Sequence, residues 1–192
     1  VMATFAMSEA LTIILKRNDP TAAAKQVSLT ELGSIKINKE ERGKMYKTIP
    51  RSSVIGFLIG VLPGAGATIA SFLAYGMERN LVKDEEKEKF GKGSVNGLSA
   101  PETANNAACS GSFVPMLTLG IPGSGTTAVM LGALLGFGIQ PGPRLYMTNP
   151  EIFWSVIMSM YIGMVILLIL NLPLIPYIAR ILAVPKNYLI PL

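Results

Sequence analysis

The pattern Pro-Gly-x-Gly-x-Thr occurs twice in this chain, as Pro63-Gly64-Ala65-Gly66-Ala67-Thr68 and as Pro122-Gly123-Ser124-Gly125-Thr126-Thr127. Each copy sits inside a long stretch without a charged residue. Proline and paired glycines are the poorest residues for a continuous helix. In a bilayer, broken backbone survives only where protein or a water-filled cavity satisfies its polar groups. A break repeated at membrane depth therefore points to a solute or ion site.

The membrane reading rests on how charge is distributed. Half of the residues are hydrophobic and 15% are charged, against about 25% charged in an average soluble domain. Nine of the seventeen Lys and Arg residues lie between Lys16 and Arg51, and five more between Arg79 and Lys92. Ser52–Met77, Thr103–Pro143 and Ile152–Ala179 carry no charge, and each exceeds the roughly 20 apolar residues that cross a hydrocarbon core. The fold class expected is all-α and integral to the membrane, with two Pro/Gly-broken helices or re-entrant hairpins. The net charge of +5 fits the Lys and Arg excess of cytoplasmic loops. It does not fit nucleic acid, because the basic runs lack the aromatic interleaving that base stacking uses. His is absent and Cys109 is the one cysteine, which excludes an intrachain disulfide, a His/Cys zinc site and a His-based relay.

Along the chain, residues 1–15 read as the end of a membrane helix. Residues 16–51 read as a cytoplasmic basic loop, with one short helix near Lys39–Tyr46. In 52–77 the break leaves an apolar arm of about ten residues on each side, about 15 Å at 1.5 Å per residue, or half a bilayer. One broken span and a re-entrant hairpin both fit, and basic loops on both sides favour the hairpin. Residues 78–102 form a charged loop, where Glu85 and Lys89 suggest a solvated helix with i,i+4 pairs. Pro101 and Glu102 suit the first turn of the next helix. Residues 103–143 form a second broken membrane helix or hairpin, ending at the turn Gln140-Pro141-Gly142-Pro143. Residues 152–170 are a transmembrane helix ended by Asn171, Pro173 and Pro176. Residues 171–192 follow as an interfacial helix and the start of another span. The first residue, Val1, and the apolar last residues read as cuts through a larger protein.

A glycine-rich turn that opens a helix exposes backbone N–H groups at the positive end of the dipole. The candidate site is therefore Gly64, Gly66 and Thr68 with Gly123, Ser124, Gly125, Thr126 and Thr127. A carboxylate suits the amides, and the carbonyls before each break suit a sodium ion. Helix packing through small residues explains one copy equally well; two copies with Pro and Thr in register favour a site. Asn105 and Asn106 are costly in hydrocarbon unless paired, so they are expected to face the interior, as ligands or as interhelical hydrogen bonds. Glu102 is a cation or proton partner, or simply an acid at a helix start. Cys109 reads as inert core. A nucleotide P-loop fails because neither motif has Lys after its glycines, and a dinucleotide fingerprint fails because no strand precedes them. No positioned acid or base supports an enzyme.

These residues also resemble a known family. The run Gly60-Val61-Leu62 through Tyr75, then Phe90-Gly91-Lys92-Gly93, Ala100-Pro101-Glu102 and Asn105-Asn106, is similar to the large membrane subunit of the tripartite tricarboxylate transporters, the TctA family. The similarity continues through Leu117–Thr127 to Gly138–Pro143. The resemblance implies a multi-pass carrier of the bacterial inner membrane with no organic cofactor, importing citrate or related carboxylates on a sodium or proton gradient. It implies two partners, a periplasmic solute-binding protein and a small membrane subunit. It also implies that this chain holds the second half-repeat, the first lying upstream. The competing readings are a channel and a non-transporting scaffold subunit.

Overall fold

The computed structural model describes residues 37–181, together with Met7, Ser8 and Leu11. The other residues expected to end a helix (1–15), and those of the basic loop up to 36, lie outside the described residues, as do 182–192. The chain divides into two compact units, residues 36–160 and residues 1–35 with 161–192. Among the described residues every regular element is a helix. They are α1 (Lys39–Val61), α2 (Gly66–Leu81), α3 (Asp84–Lys87), α4 (Val95–Gly111), α5 (Phe113–Leu119), α6 (Gly125–Gly136), α7 (Leu145–Thr148) and α8 (Pro150–Ile181).

Helix α1 corrects the expected loop. It starts at a capping box, with the Asn38 amide donating to Glu41 at 2.8 Å, and runs through Pro50 into the apolar arm. Basic and apolar halves thus form one rod. At the first break the chain reverses. Thr48 and Arg51 of α1 bond Glu78 near the far end of α2, so α1 and α2 form an antiparallel hairpin with its tip at 62–65. The alternative of a single span continuing through the break does not occur.

Helix α4 lies along both arms. It runs parallel to α1 in a fixed register: Asn96 bonds Thr48, and a Cβ built on Gly56 or Gly60 would strike the Ala104 or Ala108 backbone. Glycine every fourth residue on α1 meets alanine every fourth residue on α4, so the two backbones touch. Against α2, Ala70 and Ala74 complete a buried core with Ala100, Ala104 and Ala108, and the Ser71 hydroxyl donates to the Pro101 carbonyl at 3.2 Å. Small side chains fill this seam, with Ile59 packed against it; Phe57, Leu58, Phe72 and Leu73 point outward and are exposed.

Helix α4 also starts earlier than expected. Ser94 caps it by accepting from the Gly97 amide at 3.1 Å, so Pro101 and Glu102 lie about two turns inside it. Glu102 therefore does not sit at the positive dipole end. In the charged segment the bonded pairs are Asp84–Lys87 and Glu86–Lys89, each three residues apart, in place of the expected Glu85–Lys89. Lys44 reaches across to Glu86 at 2.9 Å and ties α3 to α1.

Beyond Ser112 a second cluster forms from Met116, Leu117 and Leu145, packed by Phe113, Met130, Leu134, Ile139 and Phe153. The turn at 140–143 is fixed by the Gly142 amide donating to the Leu117 carbonyl at 3.1 Å. Helix α8 then continues through Asn171, Pro173 and Pro176, where an end and a separate interfacial helix were expected. Proline is tolerated in long apolar helices whose other hydrogen bonds persist. Within α8, Pro150–Ile175 is long and apolar enough to cross a membrane; Gly125–Gly136 is apolar but shorter.

Candidate functional site

At the first break, Leu62 and Ala65 close tight turns, their amides donating to Ile59 and Leu62 at 3.1 and 3.2 Å. Gly64 and Gly66 take left-handed backbone with φ of 79° and 69°, which costs an L-residue roughly 1–2 kcal/mol. Helix α2 then starts at Gly66 with no side chain capping it. The first amides of a helix have no intrahelical acceptor; Gly66 and Ala67 are half-buried here, between exposed Gly64 and exposed Thr68 and Ile69.

The second break is built differently. Helix α5 ends on Gly120 in the left-handed region, with the Gly120 and Ile121 amides donating back to Met116 and Pro115. The bond from the left-handed Gly120 to Met116, four residues back, is that of an αL helix end. Ser124 then caps α6. Its hydroxyl accepts from the Thr127 amide at 3.2 Å, and the Thr127 hydroxyl accepts from the Ser124 amide at 2.8 Å. Thr127 is buried, and both hydroxyls are occupied by the cap. Gly125 and Thr126 are exposed and supply the two leading amides of α6.

The fold brings the two breaks to one end. A Cβ built on Gly123 falls 2.9 Å from the Ser112 Cβ and 3.5 Å from the Gly60 carbonyl oxygen, and one built on Gly111 falls 2.6 Å from the Phe57 carbonyl oxygen. The second motif and the end of α4 thus pack on the last two turns of α1, directly before Pro63. Helix N-termini at that end offer backbone donors and partial positive charge without a cationic side chain.

Asn105 and Asn106 lie outside the core that α4 forms with the hairpin. Both are exposed on α4. The Asn106 side-chain amide donates to the Glu102 carbonyl at 2.9 Å, and the exposed Cys109 thiol lies 3.9 Å from the Asn105 side-chain oxygen Oδ1. With Glu102 they form a polar stripe along the face of α4 turned away from the hairpin. Cys109 is accordingly not a core residue.

At the opposite end lies a polar cluster that sequence reasoning missed. Glu78 is fully buried. Its carboxylate accepts from the Thr48 hydroxyl at 2.8 Å, the Asn96 amide at 3.0 Å, and Arg51 Nη2 at 2.8 and 3.0 Å. Glu78 opens the charged run 78–92 and so reads as solvated. Its one signal in the sequence is its four-residue spacing from Ala70 and Ala74, on the buried face of α2. Nearby, Ser52 Oγ and Asn96 Oδ1 are buried without a hydrogen-bond partner.

The outer charges are coupled to one another. Lys89 and then Lys44 hold the Glu86 carboxyl below its ordinary range, and Glu86 with Glu40 holds the Lys44 ammonium above its own. The carboxylate contribution is present above pH ~4.5 and fades as pH falls through the depressed value; the lysine contribution is complete below pH ~10.5 and fades above it. The tie between α3 and α1 is thus intact near neutrality and lost on acidification.

Comparison with known proteins matches the same residues. The "Tripartite tricarboxylate transporter TctA family" matches over residues 1–192. The "Uncharacterized 52.8 kDa protein in TAR-I ttuC' 3'region" of Agrobacterium vitis is 40% identical over 175 residues, 91% of this chain and 34% of that protein. The "Uncharacterized protein in TAR-II ttuC' 3'region" of the same organism is 47% identical over 136 residues, 71% of this chain and 55% of that protein. The chain therefore spans about a third and about half of the lengths of these relatives. No solved structure matches. The whole chain falls within one family, and it is a member of the tripartite tricarboxylate transporter TctA family.

Proposed function

We propose that this chain is part of the membrane-embedded permease of a secondary transporter for small organic anions of the tricarboxylate and dicarboxylate class. An ion gradient drives import, with sodium or a proton as the coupling ion. A periplasmic solute-binding protein delivers the carboxylate, and a small membrane subunit completes the complex in the bacterial inner membrane. Family membership supports the transporter class. Outward-facing Phe57, Leu58, Phe72, Leu73 and the apolar face of α8 suit lipid or further helices.

The observation that carries the site is the meeting of the two Pro-Gly breaks against the end of α1. The unspent amides of Gly66, Ala67, Gly125 and Thr126 bind the carboxylate, and the carbonyls before each break suit sodium. Alternating access moves one part of the permease against another around this point.

The test is uptake of labelled citrate and succinate into proteoliposomes holding the full complex, with and without a sodium gradient. Gly125→Val is the sharpest variant, because nothing lies within 4 Å of a Cβ there. It should abolish uptake without disturbing assembly, and wild-type uptake would sink the site. Flux without ion coupling or binding protein would indicate a channel, and a complex indifferent to both motifs would indicate a scaffold.

A further inference from the structure

Glu78 is the one fully buried acid among the described residues. A buried carboxylate in an ion-coupled transporter is by default a candidate for the coupling site. Its surroundings argue otherwise. Arg51 supplies the compensating charge and bonds both oxygens. Thr48 and Asn96 bond Oε1 as well, and the Asn96 amide also donates to the Thr48 hydroxyl at 2.9 Å. These partners come from α1 and α4, while Glu78 belongs to α2. The cluster lies about 18 Å from the start of α2, at ~1.5 Å per residue, too far to touch a solute bound at the breaks.

Below the breaks α1 and α4 leave no room to slide. Gly56 and Gly60 already touch the Ala104 and Ala108 backbone, and a small axial shift would drive alanine methyls into the facing turns. Packed interfaces of this kind hold discrete positions and do not deform continuously.

We infer that Glu78 is a positioning residue, whose paired carboxylate clamps α1, α2 and α4 into one body that carries both Pro-Gly breaks unchanged through the transport cycle. The inference rests on the transporter reading. It places the joint of the cycle outside the hairpin and α4, and it leaves ion coupling to other groups.

The clamp predicts a charge-balanced rescue. In the reconstituted full complex, Arg51→Gln strands a buried carboxylate and should lower citrate uptake about tenfold or more; Glu78→Gln leaves an Arg51 whose side chain is 41% exposed and should lower it less. The double variant has no charge to balance and can still bond amide to amide, so uptake should return to within about threefold of wild type. A double variant no better than the worse single overturns the inference, since the carboxylate is then needed for more than Arg51. Single variants with wild-type uptake overturn it as well.

Where the singles fail to assemble, a cysteine pair decides. Ser52→Cys and Ala100→Cys, in a Cys109→Ala background, sit one turn along the register from Thr48 and Asn96 and leave the clamp intact. Equal uptake in oxidised and reduced complexes supports a single body. Loss on oxidation that dithiothreitol reverses overturns it. If the unaltered complex takes up neither carboxylate, the transporter reading fails by itself. Thermal unfolding of the four forms then tests the clamp without substrate: stability lost in both singles and regained in the double supports it, and no recovery overturns it.

Discussion

In the first Pro-Gly break both glycines are left-handed, Gly64 at φ 79° and Gly66 at φ 69°, and open space surrounds them. In the second, the left-handed residue is Gly120, ahead of the motif, and neither Gly123 nor Gly125 has positive φ. There, Gly123 is buried against Ser112 and Gly60, where a side chain has no room. One pattern thus meets two physical needs, backbone freedom at the hairpin tip and close approach where α6 rejoins α1. The shared threonine differs too: Thr127 is buried in a cap, whereas Thr68 is exposed. A repeated motif fixes where a chain breaks without fixing why each letter is there.

That contrast breaks most readily at Gly123. Gly123→Ala forces a Cβ to 2.9 Å from the Ser112 Cβ, and overpacking of this kind costs about 1–3 kcal/mol. Ser112→Gly in the same chain should recover most of the loss in thermal unfolding of the solubilised complex; no recovery would mean that space is not the reason for this glycine. At Gly66 the expected loss for Ala is roughly 1–2 kcal/mol, from the left-handed backbone alone. Gly66→Asn should lose less than Gly66→Ala, because Asn tolerates that conformation. Equal losses would erase the distinction between the two breaks.

The place of the first break was legible in the residues, but arms of about ten residues between basic flanks suited a broken span and a hairpin alike. The four-residue spacing of Gly56 with Gly60 and of Ala104 with Ala108 went unread, because spacing does not name the partner helix. The register between α1 and α4 is a long-range choice that no local window contains. Glu78 was illegible for the same reason. Its neighbours Arg79, Lys83 and Asp84 make the run look solvated, and only Thr48 and Asn96, brought from two other helices, make it buried. For Asn105 and Asn106, cost in hydrocarbon argues for pairing but does not say which face of α4 the hairpin covers. The start of α4 was misplaced because Pro101 fits a first turn, while the Ser94 cap lies behind two glycines that read as loop.

Ser124→Ala sharpens the comparison from the side of the cap. It removes the acceptor for the Thr127 amide, which costs about 1 kcal/mol at a typical N-cap. The same change has no counterpart at Ala65, the matching position of the first motif, where no side chain caps α2. Ala65→Ser should therefore leave thermal unfolding nearly unchanged. A clear gain in stability there would mean that α2 accepts a cap and that the two helix starts are alike after all.

The smallest effect on stability, and the most telling one on activity, is expected at Thr68. Thr68→Val exchanges an exposed hydroxyl for a methyl, and surface changes of this kind usually stay within about 0.5 kcal/mol. Thr127→Val removes a hydroxyl that accepts from the Ser124 amide and donates to the Ser124 carbonyl at 2.9 Å, so its loss should appear in unfolding. If Thr68 meets the solute while Thr127 only builds the helix start, Thr68→Val raises the KM for carboxylate uptake at unchanged thermal stability. Thr127→Val should do the reverse, lowering stability while the KM of the assembled complex stays near wild type. A KM that moves with Thr127 and ignores Thr68 would place the solute against α6 alone and remove the first break from the site.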